Sequence, residues 1–224
     1  MLKNNLLTIL VIIGLLVGIS IACRNSDPKP AVNSATPSQS GSPPNTSTSS
    51  SYGNKVKIKT PDDKTAVEIS FDGGGAKIEF GGKTIRSESK DTEKRKYYNG
   101  SNQVAEVKTK EADGFKVRTT DGKLLWKIKI ADGKIKISDN EENQNAYELV
   151  KKDDGAKIEQ NENKLGEVKF YTDRQKIKVK DASDKELFDG NTDKYSVAYG
   201  VLLLDKIPED QRYIILAELL TRNL

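Results

Sequence analysis

The chain has 224 residues, with 37 Lys and Arg against 33 Asp and Glu, one Cys, one Trp and no His. The missing His excludes a Ser-His-Asp triad, a Cys-His pair and every His-ligated metal centre, and the single Cys excludes an internal disulfide and a cysteine zinc cluster. Setting aside Lys3, Arg24, Lys29 and Asp27 leaves 34 basic and 32 acidic residues over 55–224, a near balance with no positive field for nucleic acid.

Met1-Leu2-Lys3 is a short basic start, and Leu6 to Ala22 reads LLTILVIIGLLVGISIA, an almost unbroken apolar run. A secretory signal has this order: a positive start, an apolar core and small residues at the cut. The closing ISIAC, with Ala22 at −1, Ile21 at −2 and Cys23 at +1, resembles the lipobox of bacterial lipoproteins. It departs at −3, where Ser20 replaces the usual Leu, Val or Ile. The resemblance implies a signal peptide over 1–22, cleavage between Ala22 and Cys23, and diacylglycerol plus a further acyl chain such as palmitate on Cys23. Two or three chains anchor stably where one is marginal. The chain is then expected in the cell envelope, extracytoplasmic, with the membrane as its partner through that lipid. Two alternatives stay open: an uncleaved anchor, since the apolar run lies at the short limit of a span, and plain secretion with Cys23 incidental.

Between Arg24 and Asn54 lie nine Ser, three Thr and five of the seven Pro. This composition buries too little apolar surface to offset chain entropy, so 23–54 is expected to be a disordered tether behind the lipidated Cys. At about 5–6 Å × √n it spans on the order of 30 Å. Asn45-Thr46-Ser47 and Asn99-Gly100-Ser101 match glycosylation acceptors, a reading that needs a eukaryotic secretory route.

From Lys55 the pattern becomes short alternating runs: KVKIK, AVEISF, AKIEF, FKVRT, KLLWKIKI, KIKIS, AYELV, AKIEQ, EVKFY and QKIKVK. Apolar residues recur at every second position, with Lys or Glu between, the signature of strands with one buried and one wet face. Asp72-Gly73, Gly81-Gly82, Asp113-Gly114, Asp121-Gly122, Asp132-Gly133, Asp154-Gly155 and Asp189-Gly190 are read as the turns between them. AVEI before GAKIE at Ala66–Glu79 echoes AYEL before GAKIE at Ala146–Glu159, an offset of 80 residues. A duplication into two equivalent halves and a coincidence within a small alphabet both account for it.

The carboxyl end differs. Val197–Leu204 is apolar nearly all round, and Pro208-Glu209-Asp210 reads as the first turn of a second helix. Tyr213 to Leu220 leaves that helix little polar face, so it must be buried. The economical arrangement of 55–224 is an antiparallel meander closing into a barrel of about twelve strands around the hydrophobic C-terminal helix. A β-sandwich with appended helices is the alternative. With these elements, and with Asp121–Ser138 (DGKLLWKIKIADGKIKIS) similar to a core hairpin, the domain resembles the tubby-like superfamily, which includes LURP-one-related proteins and phospholipid scramblases. The resemblance implies a lipid-facing or scaffold-like role and transfers no functional residue.

Candidate chemistry is sparse. Ser138–Asn145 places Asp139, Glu141, Asn143 and Asn145 at alternate positions, a pattern that can hold Ca²⁺. Gln144 and Val150 stand where an EF-hand needs Gly and Glu, so the loop reads as a solvated hairpin and no metal site is assigned. Asp72-Gly73-Gly74-Gly75 leads into a strand, which makes it turn glycine rather than a phosphate cradle. Lys94-Arg95-Lys96-Tyr97-Tyr98 joins three cations to two aromatics and is the candidate contact for an anionic ligand or lipid headgroup. Its plainer reading is an exposed loop before a strand. The pairs Asp62-Asp63, Glu141-Glu142 and Asp153-Asp154 fall in turns among lysines, so no catalytic residue and no cofactor is assigned. The expected function is a lipid-anchored envelope protein presenting a non-catalytic binding or structural domain to an envelope protein or a lipid headgroup. A subunit docking through its C-terminal helix and a carboxylate-dependent envelope enzyme are the competing classes.

Overall fold

The computed structural model describes residues 54–224 apart from 110–112 and 193–194. The expectations for Ala22, Cys23 and the tether lie outside those residues. The strands are β1 (Lys55–Lys59), β2 (Thr65–Asp72), β3 (Gly75–Phe80), β4 (Lys83–Ser89), β5 (Lys94–Asn99), β6 (Asn102–Thr109) and β7 (Gly114–Arg118). They continue as β8 (Leu124–Ala131), β9 (Lys134–Ser138), β10 (Tyr147–Lys152), β11 (Gly155–Gln160), β12 (Asn163–Tyr171), β13 (Lys176–Asp181) and β14 (Glu186–Asn191). Each pairs antiparallel with its chain neighbours, and β1 closes on β14 through Ile58 opposite Gly190. The result is a closed meander barrel of fourteen strands rather than a sandwich, two strands more than expected.

Alternation explains the closure. Ile69 faces Ile78, Ile78 faces Ile85, Phe115 faces Ile128, Ile137 faces Tyr147, and Leu149 faces Ile158, all inside and buried. Lys and Glu at the intervening positions pair on the outside, as in Lys55 with Glu68 at 2.6 Å and Lys136 with Glu148 at 2.7 Å. A membrane-spanning barrel needs an apolar outer band; this outer face is charged. Among the described residues no helix is long and apolar enough to cross a membrane.

The apolar carboxyl segment fills the lumen. Within Val197–Leu204, read from the sequence as apolar nearly all round, Val197–Leu203 is a 3-10 segment, and every one of its residues is buried. Its close approach depends on glycine, because a Cβ on Gly200 would lie 2.8 Å from Ile158, and one on Gly166 in the wall would lie 2.8 Å from Leu203. The chain then turns at Leu204–Ile207 and returns as α1 (Glu209–Thr221), buried from Tyr213 to Leu220. Its contacts run around the wall: Tyr213 on Phe80 of β3, Gln211 on Trp126 of β8, and Glu218 on Arg95 and Tyr97 of β5.

Two readings of the repeat and the turns change. The hairpins β2–β3 and β10–β11 share one register at the 80-residue offset, Ile69 with Ile78 and Leu149 with Ile158. They are eight strands apart in a ring of fourteen, so they are not related as two halves. Asp189-Gly190 is no turn. Gly190 lies within β14, where a Cβ would meet Ile58 at 2.7 Å, so the glycine serves wall-to-wall packing.

Candidate functional site

Hairpin direction alternates, so the links after β2, β4, β6, β8, β10 and β12 share one rim with the start of β1 at Asn54 and the end of the chain. The links after β1, β3, β5, β7, β9, β11 and β13, and the entry to α1, share the other. We call these the exit rim and the entry rim, after the course of α1.

The basic-aromatic run Lys94–Tyr98 forms β5, starting at the exit rim, and is not a loop. A strand sends neighbours to opposite faces. Lys94, Lys96 and Tyr98 therefore belong to the outer face, with Lys94 exposed, while Arg95 and Tyr97 turn inward and Tyr97 is fully buried. The five residues do not form one patch.

The inward pair meets a residue that sequence reasoning missed. Glu218 of α1 is 1% exposed, and its Oε1 accepts from Tyr97 Oη at 2.7 Å and Arg95 Nη1 at 2.9 Å. Its Oε2 accepts from Arg222 Nη1, one helical turn on, whose Nη2 donates to Thr109 Oγ1 at 2.8 Å. The Arg222 guanidinium lies 4.5 Å from the centroid of Phe115. Glu218 alone among the acids of the described residues is buried. A buried carboxylate is tolerated only when paired and hydrogen-bonded; two arginines and a phenol meet that need. The Arg95 side chain is 18% exposed and that of Arg222 21%, so both arginines still reach solvent.

The electrostatics follow from this burial. Burial pushes the Tyr97 phenol well above its ordinary range, and the Glu218 charge beside it pushes further. Burial works against the Arg95 charge, but Glu218 and then Tyr97 outweigh it and hold the guanidinium above its usual value.

Above this cluster the exit rim opens into a pocket of about 600 Å³ lined by Lys94, Arg95, Arg222, Asp91, Thr221 and the Gly73-Gly74 turn, among others. Gly73 (φ 52°) and Gly74 (φ 86°) supply the positive backbone angles of that turn. The Asp91 carboxylate faces its own loop, accepting from the amides of Glu93 at 2.8 Å and Lys94 at 2.7 Å. A second pocket of about 500 Å³ lies on the same rim, lined by Ile130, Ile135, Tyr195, Val197, Lys151 and Leu224, among others; Leu224 belongs to both.

The other candidates stay apart from this rim cluster. In Ser138–Asn145 the loop is held by Asn140, which bonds both the amide and the carbonyl of Gln144. Glu141 there is drawn to Lys116 at 2.7 Å, which lowers its pKa, with Arg118 and Lys127 nearby. No group of three metal-ligating side chains occurs among the described residues. Asp62 and Asp63 each bond a lysine at 2.6 Å on the surface, and Asp153, Asp154 and Glu142 are exposed. The signal that marked Glu218 was present in the sequence: a lone acid inside Ile214–Leu220, with Arg222 four residues on. Comparison with protein-family models, curated proteins and solved structures found no match.

Proposed function

We propose that this protein is a lipid-anchored lipoprotein of the bacterial cell envelope whose barrel is a non-catalytic binding module for a small anion, read at the exit rim. The observation that carries the binding reading is the pair Arg95–Arg222 on a single buried carboxylate beneath an open pocket. With Lys94, the lining has three cations against Glu218 and Asp91, and both acids already accept several bonds. Arginine on a partly buried wall suits planar oxyanions, because its fork geometry is fixed before the ligand arrives. The ISIAC tail, which ends in Cys23, supports lipid attachment, and Asn54, just before β1, lies at this same rim. Docking of the C-terminal helix into a partner is disfavoured because α1 already spends its apolar surface on the barrel wall. The enzyme alternative has less support, because among the described residues the paired turn acids are exposed and the buried acid is held by cations.

Two measurements test the reading separately. Fatty-acid labelling of cells expressing the chain is expected to mark the protein and to vanish in Cys23→Ala; labelling that persists overturns the anchor. Butyrate and inorganic phosphate titrated into the full chain are expected to bind in a salt-sensitive way and to lose affinity in Lys94→Glu. Absence of binding, or binding indifferent to Lys94→Glu, overturns the anion site.

A further inference from the structure

We propose that the two exit-rim pockets together take one single-chain anionic amphiphile, with its head on Arg95, Arg222 and Lys94 and its chain along the apolar wall of the second pocket. The inference rests on the anion reading above and names the ligand class. A small anion would occupy only the first pocket. The second, of about 500 Å³, is walled by Ile130, Ile135, Tyr195 and Val197, and among the described residues Leu224 lines both, so the two pockets are neighbours.

Charge decides which way such a ligand lies. Asp113 and Asp132 on the margin of the second pocket offset Lys134 and Lys151 there, and Lys134 is already bonded to Glu148 at 2.6 Å. The first pocket sets three side-chain cations, Lys94, Arg95 and Arg222, against two side-chain acids, Asp91 and Glu218, both of which already accept several bonds. Arg222 Nη1 also donates to the Glu218 backbone carbonyl at 3.0 Å, which covers the negative end of α1 where an anion would otherwise be repelled. An anionic head therefore belongs on the arginines and an apolar chain on the other side of Leu224. The apolar wall is fixed before a ligand arrives. Tyr195 donates to the Gly155 carbonyl, its ring centroid lies 6.0 Å from that of Phe170, and Lys151 Nζ lies 5.9 Å from the Tyr195 ring. A preset wall keeps the ordering cost of binding low.

The test uses the full chain in zwitterionic nanodiscs, with empty discs subtracted, and three probes: decanoate, butyrate and decanol. Each methylene buried adds about fourfold in affinity, the ~0.8 kcal/mol of apolar transfer. If half of the six extra methylenes of decanoate are covered, it binds on the order of fifty-fold tighter than butyrate. Decanol, lacking the charge, is expected to bind more weakly than decanoate. Arg95 and Arg222 hold a buried acid and so make poor test positions. Lys94→Glu and Ala131→Glu change exposed residues of the two pockets instead. Lys94→Glu should weaken decanoate and butyrate alike, and Ala131→Glu should weaken decanoate and leave butyrate unchanged. Equal affinity for decanoate and butyrate overturns the amphiphile and leaves the anion site standing. Binding of neither removes both readings. Decanol binding as well as decanoate, or binding to vesicles of an anionic diacyl lipid with none to the monomeric probes, also overturns the proposal.

Discussion

The two rims of the barrel close around the same helix by different means. At the entry rim Phe80 meets the ring of Tyr213 edge-on at 4.9 Å, Trp126 reaches Gln211, and Ile207 and Leu204 are buried in the turn between the lumen segments. At the exit rim the lumen ends in a charged cluster with two pockets above it. Apolar packing at one end fixes α1 in the barrel. The other end then carries a buried acid and concave surface that add little to stability. The proposed binding rests on buried charge combined with open space, and the contrast gives each end its own experimental signature.

The largest expected effect lies at the entry rim. Phe80→Ala removes a buried ring and leaves a hole between β3 and α1, at a cost of about 3–5 kcal/mol in urea unfolding. If the rims are as distinct as their chemistry, butyrate affinity in the folded fraction stays at the wild-type value. At the exit rim, Glu218→Leu strands two cations in the lumen. Breaking a buried pair costs about 3–5 kcal/mol, and the partial exposure of both arginines puts this case near ~3 kcal/mol. Adding Arg95→Met to Glu218→Leu should recover part of that loss, since an apolar replacement of the whole pair is often neutral. A double variant no more stable than the single one would show that Glu218 is held by packing and not by charge.

Alkaline titration compares the phenols of the two ends. Burial, and then the Glu209 charge, push Tyr213 to about 12, and burial pushes Tyr97 well above 10. Both are then protonated in the folded chain at pH values where the unfolded chain has released the proton. Their contribution is fully present below about pH 10 and is lost as pH rises through the folded values. Between pH 10 and 12 Tyr213 alone should lower stability by roughly 1.4 kcal/mol per pH unit. Tyr213→Phe is expected to flatten the slope by that amount in urea unfolding at stepped pH, and an unchanged slope contradicts the burial of that hydroxyl.

The legibility of the chain follows the same division. Ten strands were readable because each alternates Lys or Glu with two or more apolar residues, as Ile135 and Ile137 do in β9. The other four strands, for which no alternating run stands out, have thinner signals. β4 buries only Ile85, β5 only Tyr97 and β14 only Gly190, while β6 buries Ala105 and Val107 among polar residues. The inner surface of these strands is supplied from elsewhere, by α1 against β5 and by Ile58 and Ile177 against Gly190. That compensation is tertiary and leaves no local pattern. It also hid the site. Arg95 turns inward only because Lys94–Asn99 is a strand, and Glu218 was masked by the apolar run that contains it. The helix buried within the barrel was readable from burial logic alone, because an all-apolar helix and a one-faced sheet each need a cover.

The smallest effect separates the rims most finely. Trp126 Nε1 donates to Gln211 Oε1 at 2.6 Å, and Gln211 is half-buried at the entry to α1. Trp126→Phe keeps most of the ring and removes the donor. Water at the half-open entry can take its place on the amide, so the cost should be about 1 kcal/mol, the net worth of a neutral hydrogen bond. The same deletion of one partner at Glu218 should cost about three times more, because the guanidinium groups left behind carry full charge and are only partly exposed, so water solvates them less completely than it does the neutral Gln211 amide. Equal losses for Trp126→Phe and Glu218→Leu would mean that both ends are equally wet. In that case the exit cluster would be an ordinary surface ion pair, and its arginines would have no reserve of charge to offer a ligand.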